Sequence, residues 1–234
     1  PLFVTDAQLI ELGVVSPAIE ALQQGADDVI VFDGIEPDPS ERVVYACLDA
    51  FKAGSCDSVI AVGGGSSMDV AKVVSVLAEG KQDLPEIYGV GMVSGGRLPL
   101  FLAPTTAGTG SEVTPVAIIT TGETTKAGVS SPILLPDVAI LDASLTLELP
   151  ASISAMTGID AMVHAIEAYT SKIKKNPMSD MLALRALKLL SENIRKVLAS
   201  HGDVTAREAM LLGSMFAGQA FANAPVGAVH ALAY

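Results

Sequence analysis

The feature that most constrains the fold is a change of pattern near Pro150. Before it, short apolar runs alternate with helical segments, whereas after it the long segments all have the periodicity of helices. A strand, a crossover helix and a second strand are typical of a parallel sheet. The sequence therefore predicts an α/β domain over residues 1–149 and a helical domain over residues 150–234.

The apolar runs and the breaking residues place the individual elements. Strands are predicted at residues 2–5, 29–32, 58–62, 98–103, 116–121 and 138–142, and helices of the first domain at about 41–53 and 70–78. Helices of the second domain are predicted at residues 151–171, 177–200 and 205–224, separated near Pro177 and Gly202.

Charge and composition exclude several classes of partner. The net charge of −12 disfavours a nucleic acid, because an acidic surface repels phosphates. No apolar run is long enough for a membrane helix, and the first residues lack the basic start of a signal peptide. Cys47 and Cys56 form no CxxC motif, which favours a reducing cytoplasm. The apolar share of 50% predicts a surface covered by further chain or by a second subunit, and hence a homo-oligomer.

A glycine turn follows the strand predicted at residues 58–62. Gly63, Gly64 and Gly65 precede Ser66 and the helix that contains Asp69. Glycines let a ligand approach the backbone, and a helix N-terminus offers N–H groups to a phosphate. Ser66 and Asp69 also have the spacing of a capping box. The turn lacks the G-x-G-x-x-G pattern, so phosphate binding and a purely structural turn both remain open.

A second small polar loop, Pro104–Glu112, follows the strand predicted at residues 98–103. Its threonines and glycines come at the carboxyl end of a strand, where open α/β sheets bind ligands. A polar surface loop is the alternative explanation for this segment alone. Two such loops after two strands favour a dinucleotide site.

Asp160 and His164 are the strongest candidates for metal ligands. They lie four residues apart in a predicted helix, so they share one face, and their neighbours are small or apolar. His230 lies in a similarly apolar segment, whereas His201 lies in a polar turn. A buried hydrogen-bonded pair is the alternative for Asp160 and His164. With His230 included, the set would suit Fe, Zn, Mn or Co, with ligating atoms within about 4 Å of one another.

Taken together, these motifs resemble the iron-dependent (group III) alcohol dehydrogenase family. The resemblance rests on Gly63 to Ser66 with Asp69 and Lys72, on Pro104–Glu112, on Thr157 and Gly158 with Asp160, His164 and Glu167, and on Val229 to Ala231. It implies an N-terminal dinucleotide-binding domain with a parallel sheet and an all-helical, metal-binding C-terminal domain of the dehydroquinate synthase-like type. That helical domain is incomplete here, because the family's fourth ligand, a histidine in a Pro-His-Gly motif, would lie past Tyr234.

The resemblance also implies the site residues. Asp160, His164 and His230 match metal ligands, with Fe²⁺ expected first and Zn²⁺ or Mn²⁺ as alternatives. Tyr234 stands where some relatives carry a histidine assigned to proton relay, and it is the one catalytic candidate besides the metal. The residues that match contacts to NAD are Asp6, Asp38, Gly64, Gly65, Ser66, Thr105, Thr106, Thr109, Thr114 and Lys126. The carboxylate of Asp6 would repel a 2′-phosphate, which favours NAD over NADP.

The implied function is a metal-assisted, NAD-dependent interconversion of an alcohol and an aldehyde or ketone. The metal would act as a Lewis acid on the substrate oxygen, and the small-molecule substrate is not specified by the sequence. The resemblance further suggests a cytoplasmic homodimer. The alternatives are a zinc-type glycerol dehydrogenase, dehydroquinate synthase, a maleylacetate reductase-like enzyme and a non-catalytic dinucleotide-binding fragment or assembly module.

Overall fold

The structure, a computed structural model, describes residues 1–233 and divides into two compact units. One unit contains Pro1–Ala103 and Pro115–Ile140, and the other contains Pro104–Thr114 and the chain from Leu141 onward. The threonine loop therefore packs with the helices rather than with the sheet that precedes it. The domain boundary between residues 149 and 150 stays a prediction.

The first unit is built on a five-stranded sheet with the strand order β2-β1-β3-β5-β8. Its strands are β1 (Leu2–Val4), β2 (Ile30–Phe32), β3 (Val59–Gly63), β5 (Leu100–Pro104) and β8 (Val138–Ala139). The pairs β1–β2, β1–β3 and β5–β8 are parallel. The predicted parallel α/β architecture is thus confirmed.

Helices cover this sheet because its strands are apolar on both faces. The helices of this unit are α1 (Ala7–Glu11), α2 (Ser16–Gly25), α3 (Glu41–Ala53), α4 (Gly65–Leu77) and α5 (Leu84–Ile87). Helix α4 is buried along almost its whole length, and together with α3 and the strands it forms one apolar core. Because α4 is buried in this core, the glycine turn at its N-terminus has a fixed position.

The strand predicted at residues 116–121 does not join the parallel sheet. As β6 (Val116–Thr121) it pairs antiparallel with β7 (Thr125–Ser130), and β4 (Gly89–Val90) completes a separate three-stranded sheet. Gly122, with a φ of 61°, lies in the tight turn between β6 and β7. Because glycine tolerates positive φ, the chain reverses there instead of crossing to a parallel neighbour.

The second unit consists of helices. They are α6 (Ala151–Thr170), α7 (Pro177–Ala199), α8 (Val204–Asn223) and α9 (Ala228–Ala233), so the three predicted helices of this region agree with the structure to within a residue or two. Much of the shared core is alanine, at positions 161, 165, 168, 183, 186, 206, 217, 220 and 224. Small side chains let helices approach one another closely.

Two glycines explain why the threonine loop belongs to the helical unit. A Cβ added to Gly110 would lie 2.7 Å from the Cα of Gly218 on α8, and one added to Gly218 would lie 2.9 Å from the carbonyl oxygen of Gly110. Gly110 also has a φ of 61°, a conformation that other residues adopt at a cost. Backbone therefore packs directly on backbone, and the loop is fixed against α8. Within residues 1–233, no helix combines the length and apolarity needed to cross a membrane.

Candidate metal centre and dinucleotide site

Asp160, His164 and His230 converge in the helical unit. One ligand atom from each lies within 4.8 Å of the others, slightly wider than the spacing of about 4 Å predicted for them. Oδ1 of Asp160 is 3.6 Å from Nε2 of His230, and Oδ2 of Asp160 is 3.9 Å from Nδ1 of His164. The two imidazole rings are stacked, with centroids 4.4 Å apart. One carboxylate thus lies between two ring nitrogens, an arrangement that suits a single cation.

The surroundings of His164 also fit a metal ion. Its Nδ1 atom is buried and has no hydrogen-bond partner in the part of the chain that the structure describes. Burial lowers the pKa of His164, and nearby Asp160 offsets this in part. A buried polar atom without a partner is costly, and a neutral imidazole nitrogen is a metal ligand. The donor set of one carboxylate and two imidazoles therefore fits the divalent metal that the sequence predicted.

Glu167 ties His230 to helix α6. Its Oε2 lies 2.6 Å from Nδ1 of His230, and its Oε1 accepts a hydrogen bond of 2.7 Å from the backbone N–H of Val229. Burial raises the pKa of Glu167, but hydrogen bonds from His230, Val229 and Gly227 outweigh it, so that the net pKa is lowered. The side chain is consequently a carboxylate that binds the first turn of α9.

The glycine turn leaves the first turn of α4 without a side-chain cap. Gly64 is the N-cap residue in an extended conformation, and within the described chain no side chain caps its helix. The predicted capping box of Ser66 and Asp69 is wrong, because the helix already begins at Gly65 and Ser66 lies inside it. Asp69 instead accepts a hydrogen bond of 2.9 Å from the backbone N–H of Ile118. Uncapped N–H groups at this end are compatible with an anionic ligand.

The other predicted dinucleotide contacts of the first unit lie at two places. Asp6 follows β1, next to β3, and its Oδ1 accepts a hydrogen bond of 3.0 Å from Leu9, so it caps α1. Asp38, whose φ is 53°, forms an ion pair of 2.5 Å with Lys126 on β7. The structure thus brings Asp38 and Lys126 together, and it gives Asp6 a structural role that the sequence analysis did not include.

The threonines of the loop Pro104–Thr114 lie in the helical unit. Thr105 and Thr114 are buried, and Thr106 and Thr109 are half-buried. Oγ1 of Thr109 accepts a hydrogen bond from the backbone of Ser111, which stabilises the turn. A Cβ added to Gly108 would lie 2.8 Å from Cβ of Thr157, so the loop packs closely on helix α6, which carries Asp160 and His164.

Two family models match the chain over nearly its whole length. The model described as "Iron-containing alcohol dehydrogenase" matches residues 1–143. The model described as "Fe-containing alcohol dehydrogenase family, C-terminal" matches residues 154–234. The chain belongs to the iron-containing alcohol dehydrogenase family. The resemblance stated from the motifs is therefore confirmed.

Named relatives within the family agree in sequence and in fold. The long-chain-alcohol dehydrogenase 1 of Geobacillus thermodenitrificans is 42% identical over 100% of this chain and 59% of its own length. A crystal structure of 1,3-propanediol oxidoreductase superimposes with a TM-score of 0.95 at 39% identity, covering 99% of this chain and 61% of that one. A sulfoacetaldehyde reductase from Bifidobacterium kashiwanohense, solved in complex with NAD⁺, has a TM-score of 0.90 at 34% identity, with coverages of 98% and 61%. The chain thus spans about three fifths of the length of these relatives.

Glu167 is a residue of the candidate site whose role was not predicted from the sequence. Glu167 was part of the motif but was assigned no role, although its spacing from His164 places it on the ligand face of α6. A buried glutamate in an apolar helix is itself a signal, because it needs a partner. Tyr234, the predicted proton-relay candidate, lies outside the described residues.

Proposed function

We propose that this protein is a metal-assisted, NAD-dependent oxidoreductase that interconverts an alcohol and an aldehyde or ketone. The observation that carries the proposal is the convergence of Asp160, His164 and His230 within 4.8 Å, in a chain whose family is that of the iron-containing alcohol dehydrogenases. The named relatives support it, since their names describe alcohol and aldehyde oxidoreductases.

In this proposal, the helical domain over residues 150–234 carries the metal ligands Asp160, His164 and His230. Asp160 provides a negative charge between the two imidazoles. The two histidine rings are mostly buried, whereas the Asp160 side chain is 42% exposed. When bound, a divalent ion, Fe²⁺ or alternatively Zn²⁺ or Mn²⁺, supplies a Lewis acid for the substrate oxygen. The proposed roles of these ligands rest on their geometry and on the family resemblance.

The domain over residues 1–149 is proposed to bind the dinucleotide. Uncapped N–H groups at Gly64, Gly65 and Ser66 would hold the pyrophosphate, and Lys126, held by Asp38, would approach a ribose. The remaining proposed contacts are Asp6, Thr105, Thr106, Thr109 and Thr114. NAD supplies the redox chemistry when bound, and the protein supplies position and electrostatics. A cytoplasmic homodimer is proposed as the working form.

Metal removal tests the proposed function. We expect the purified protein to oxidise primary alcohols or diols with NAD, and a chelator to lower this turnover by about 10³-fold, since a Lewis acid contributes several kcal/mol. Adding Fe²⁺ or Zn²⁺ back should restore turnover, which is followed by NADH absorbance with metal analysis alongside. Turnover that persists in metal-free protein would contradict the proposal. Dinucleotide binding without any turnover would instead favour the non-catalytic alternative.

Asp6 is expected to set a preference for NAD over NADP. Replacing it with asparagine removes the charge that would repel a 2′-phosphate but keeps an oxygen to accept the hydrogen bond from Leu9. The ratio of kcat/KM for NADP to that for NAD should rise about tenfold, equivalent to roughly 1.4 kcal/mol. Asp6→Gly should have the same effect on the ratio and should lower the free energy of unfolding by only a few tenths of a kcal/mol, because glycine is itself tolerated at an N-cap.

The matched control for Asp6 is Asp27→Asn, which changes an exposed aspartate in the loop before β2. This variant removes one negative charge near the start of β2, whereas Asp6 follows the end of the neighbouring parallel strand β1. The ratio of kcat/KM for NADP to that for NAD should therefore stay unchanged. If Asp6→Asn and Asp27→Asn give the same ratio, Asp6 acts solely as the cap of α1.

A further inference from the structure

Glu167 on α6 contacts the segment around His230 through both of its carboxylate oxygens. Its side chain is buried, with 7% of the residue exposed. Both carboxylate oxygens are used: Oε1 accepts from the N–H of Val229 at 2.7 Å, and Oε2 lies 2.6 Å from Nδ1 of His230. All of these contacts join α6 to a segment more than sixty positions later in the chain.

The spacing along α6 explains why one residue can do this. Glu167 follows Asp160 by seven positions and His164 by three, so all three side chains lie on one face of the helix. The face of α6 that carries the candidate ligands Asp160 and His164 therefore also carries Glu167, which contacts the third candidate ligand, His230.

Gly227 provides the space for the carboxylate. A Cβ added to it would lie 3.2 Å from Oε1 of Glu167, which is tighter than most real contacts. The absence of a side chain at Gly227 therefore lets the turn before α9 approach the carboxylate of Glu167.

We propose that Glu167 is a positioning residue that fixes the orientation and tautomer of His230 for metal binding. A carboxylate accepts hydrogen bonds and cannot donate them, so it places the ring proton on Nδ1. Nε2 then carries a lone pair, and this is the atom that lies 3.6 Å from Oδ1 of Asp160. Carboxylates often hold metal-binding histidines in this way. The part of the proposal that concerns metal rests on the proposed function.

The decisive variant is Glu167→Gln, which keeps the shape but makes one end a donor. The amide oxygen satisfies the backbone N–H of Val229, and the NH₂ group then faces Nδ1 of His230. The ring proton should move to Nε2, which would have to lose it before binding a metal. We expect metal affinity, measured by competition with a chelator, to fall about 10–100-fold.

The tautomer is read directly by ¹⁵N NMR of the metal-free protein. The chain contains three histidines, so His230→Gln assigns the relevant ring by loss of its signals. The unmodified protein should show His230 protonated at Nδ1, and Glu167→Gln should show it protonated at Nε2. The matched control is Glu192→Gln, the same change at a 58% exposed glutamate on α7, which should alter neither the tautomer nor the affinity.

Each outcome decides a separate question. An Nε2–H tautomer in the unmodified protein overturns the proposal even if Glu167→Gln fails to fold, and so does an unchanged tautomer in a folded Glu167→Gln. If Glu167 acts through His230, its effect on metal affinity should disappear in the His230→Gln background, and a persistent effect counts against it. Failure of the unmodified protein to bind metal, with the tautomer shift intact, would overturn the proposed function and leave the positioning role of Glu167 standing.

Discussion

Replacing Asp160 with alanine is expected to abolish tight metal binding and to lower alcohol turnover by about 10³-fold. Oδ1 and Oδ2 of Asp160 lie 3.6 Å and 3.9 Å from the facing nitrogens of His230 and His164, so this carboxylate supplies the negative charge between the two rings. Without it, the two imidazoles alone must hold a divalent ion. Metal content after dialysis and NADH production under saturating NAD are the two measurements.

Two comparisons make the Asp160 experiment specific. Asp160→Asn keeps the shape and one oxygen but loses the charge, so its metal content and turnover should fall between those of the alanine variant and the unmodified protein. Asp180→Asn changes an aspartate on α7 that pairs with Lys175, and it should leave both quantities unchanged. A chelator should have no further effect on Asp160→Ala, because both treatments remove the same ion. Full metal content in the alanine variant would show that the ion binds elsewhere.

Lys72→Met is expected to destabilise the protein by about 3 kcal/mol. Lys72 is fully buried on α4, where its Nζ donates a hydrogen bond of 2.9 Å to the carbonyl of Val116 and lies 3.9 Å from Oδ1 of Asp69. Asp69 in turn accepts the N–H of Ile118. Both residues thereby attach the helix of the glycine turn to β6. Methionine fills the space but leaves a mostly buried carboxylate without its cation, which is the costly part. Urea unfolding measures the loss.

The surface offers a matched control for Lys72. Lys188 also lies 3.9 Å from a carboxylate, that of Glu192, but its side chain is 61% exposed. Lys188→Met should change the free energy of unfolding by less than about 0.5 kcal/mol. Adding Asp69→Asn to Lys72→Met should recover part of the lost stability, since the amide keeps an acceptor for Ile118 and carries no charge. A double variant that loses the sum of both single effects would show that the two residues act independently.

Elements with a long, regular apolar pattern were predicted well from the sequence. Helix α3 and strand β6 have the predicted bounds, and α6, α7 and α8 differ from theirs by a residue or two. Other elements were missed, among them α1, α2, α5 and β7. Helix α1 has no buried residue, so no apolar period marks it, and its local signal is the cap at Asp6. Helix α5 begins with a capping box of Asp83 and Glu86, a local signal that could have been used.

In the candidate site, too, some residues could be predicted from a local pattern and others could not. Asp160 and His164 could be paired from the sequence because a helix brings positions four apart onto one face. His230 was a candidate because its segment is apolar, and the family resemblance then assigned it as the third ligand, since no local rule relates it to a helix so far away in the chain. The role of Glu167 followed only once the structure placed the Gly227–His230 segment against α6. The same holds for Asp69, whose predicted capping role was replaced by a contact to β6.

By itself, the sequence determined the α/β region followed by helices, the types of ligand and the family, because periodicity and motifs are properties of neighbouring residues. The tertiary structure decided which distant segments meet: β6 with β7 in a second sheet, Gly110 with Gly218, and Glu167 with His230. Such contacts depend on how elements distant in the sequence pack within each unit. They also depend on whether a glycine leaves room for a neighbouring backbone. A local sequence pattern can identify the residues that make these contacts, but it cannot predict which of them lie close together in space.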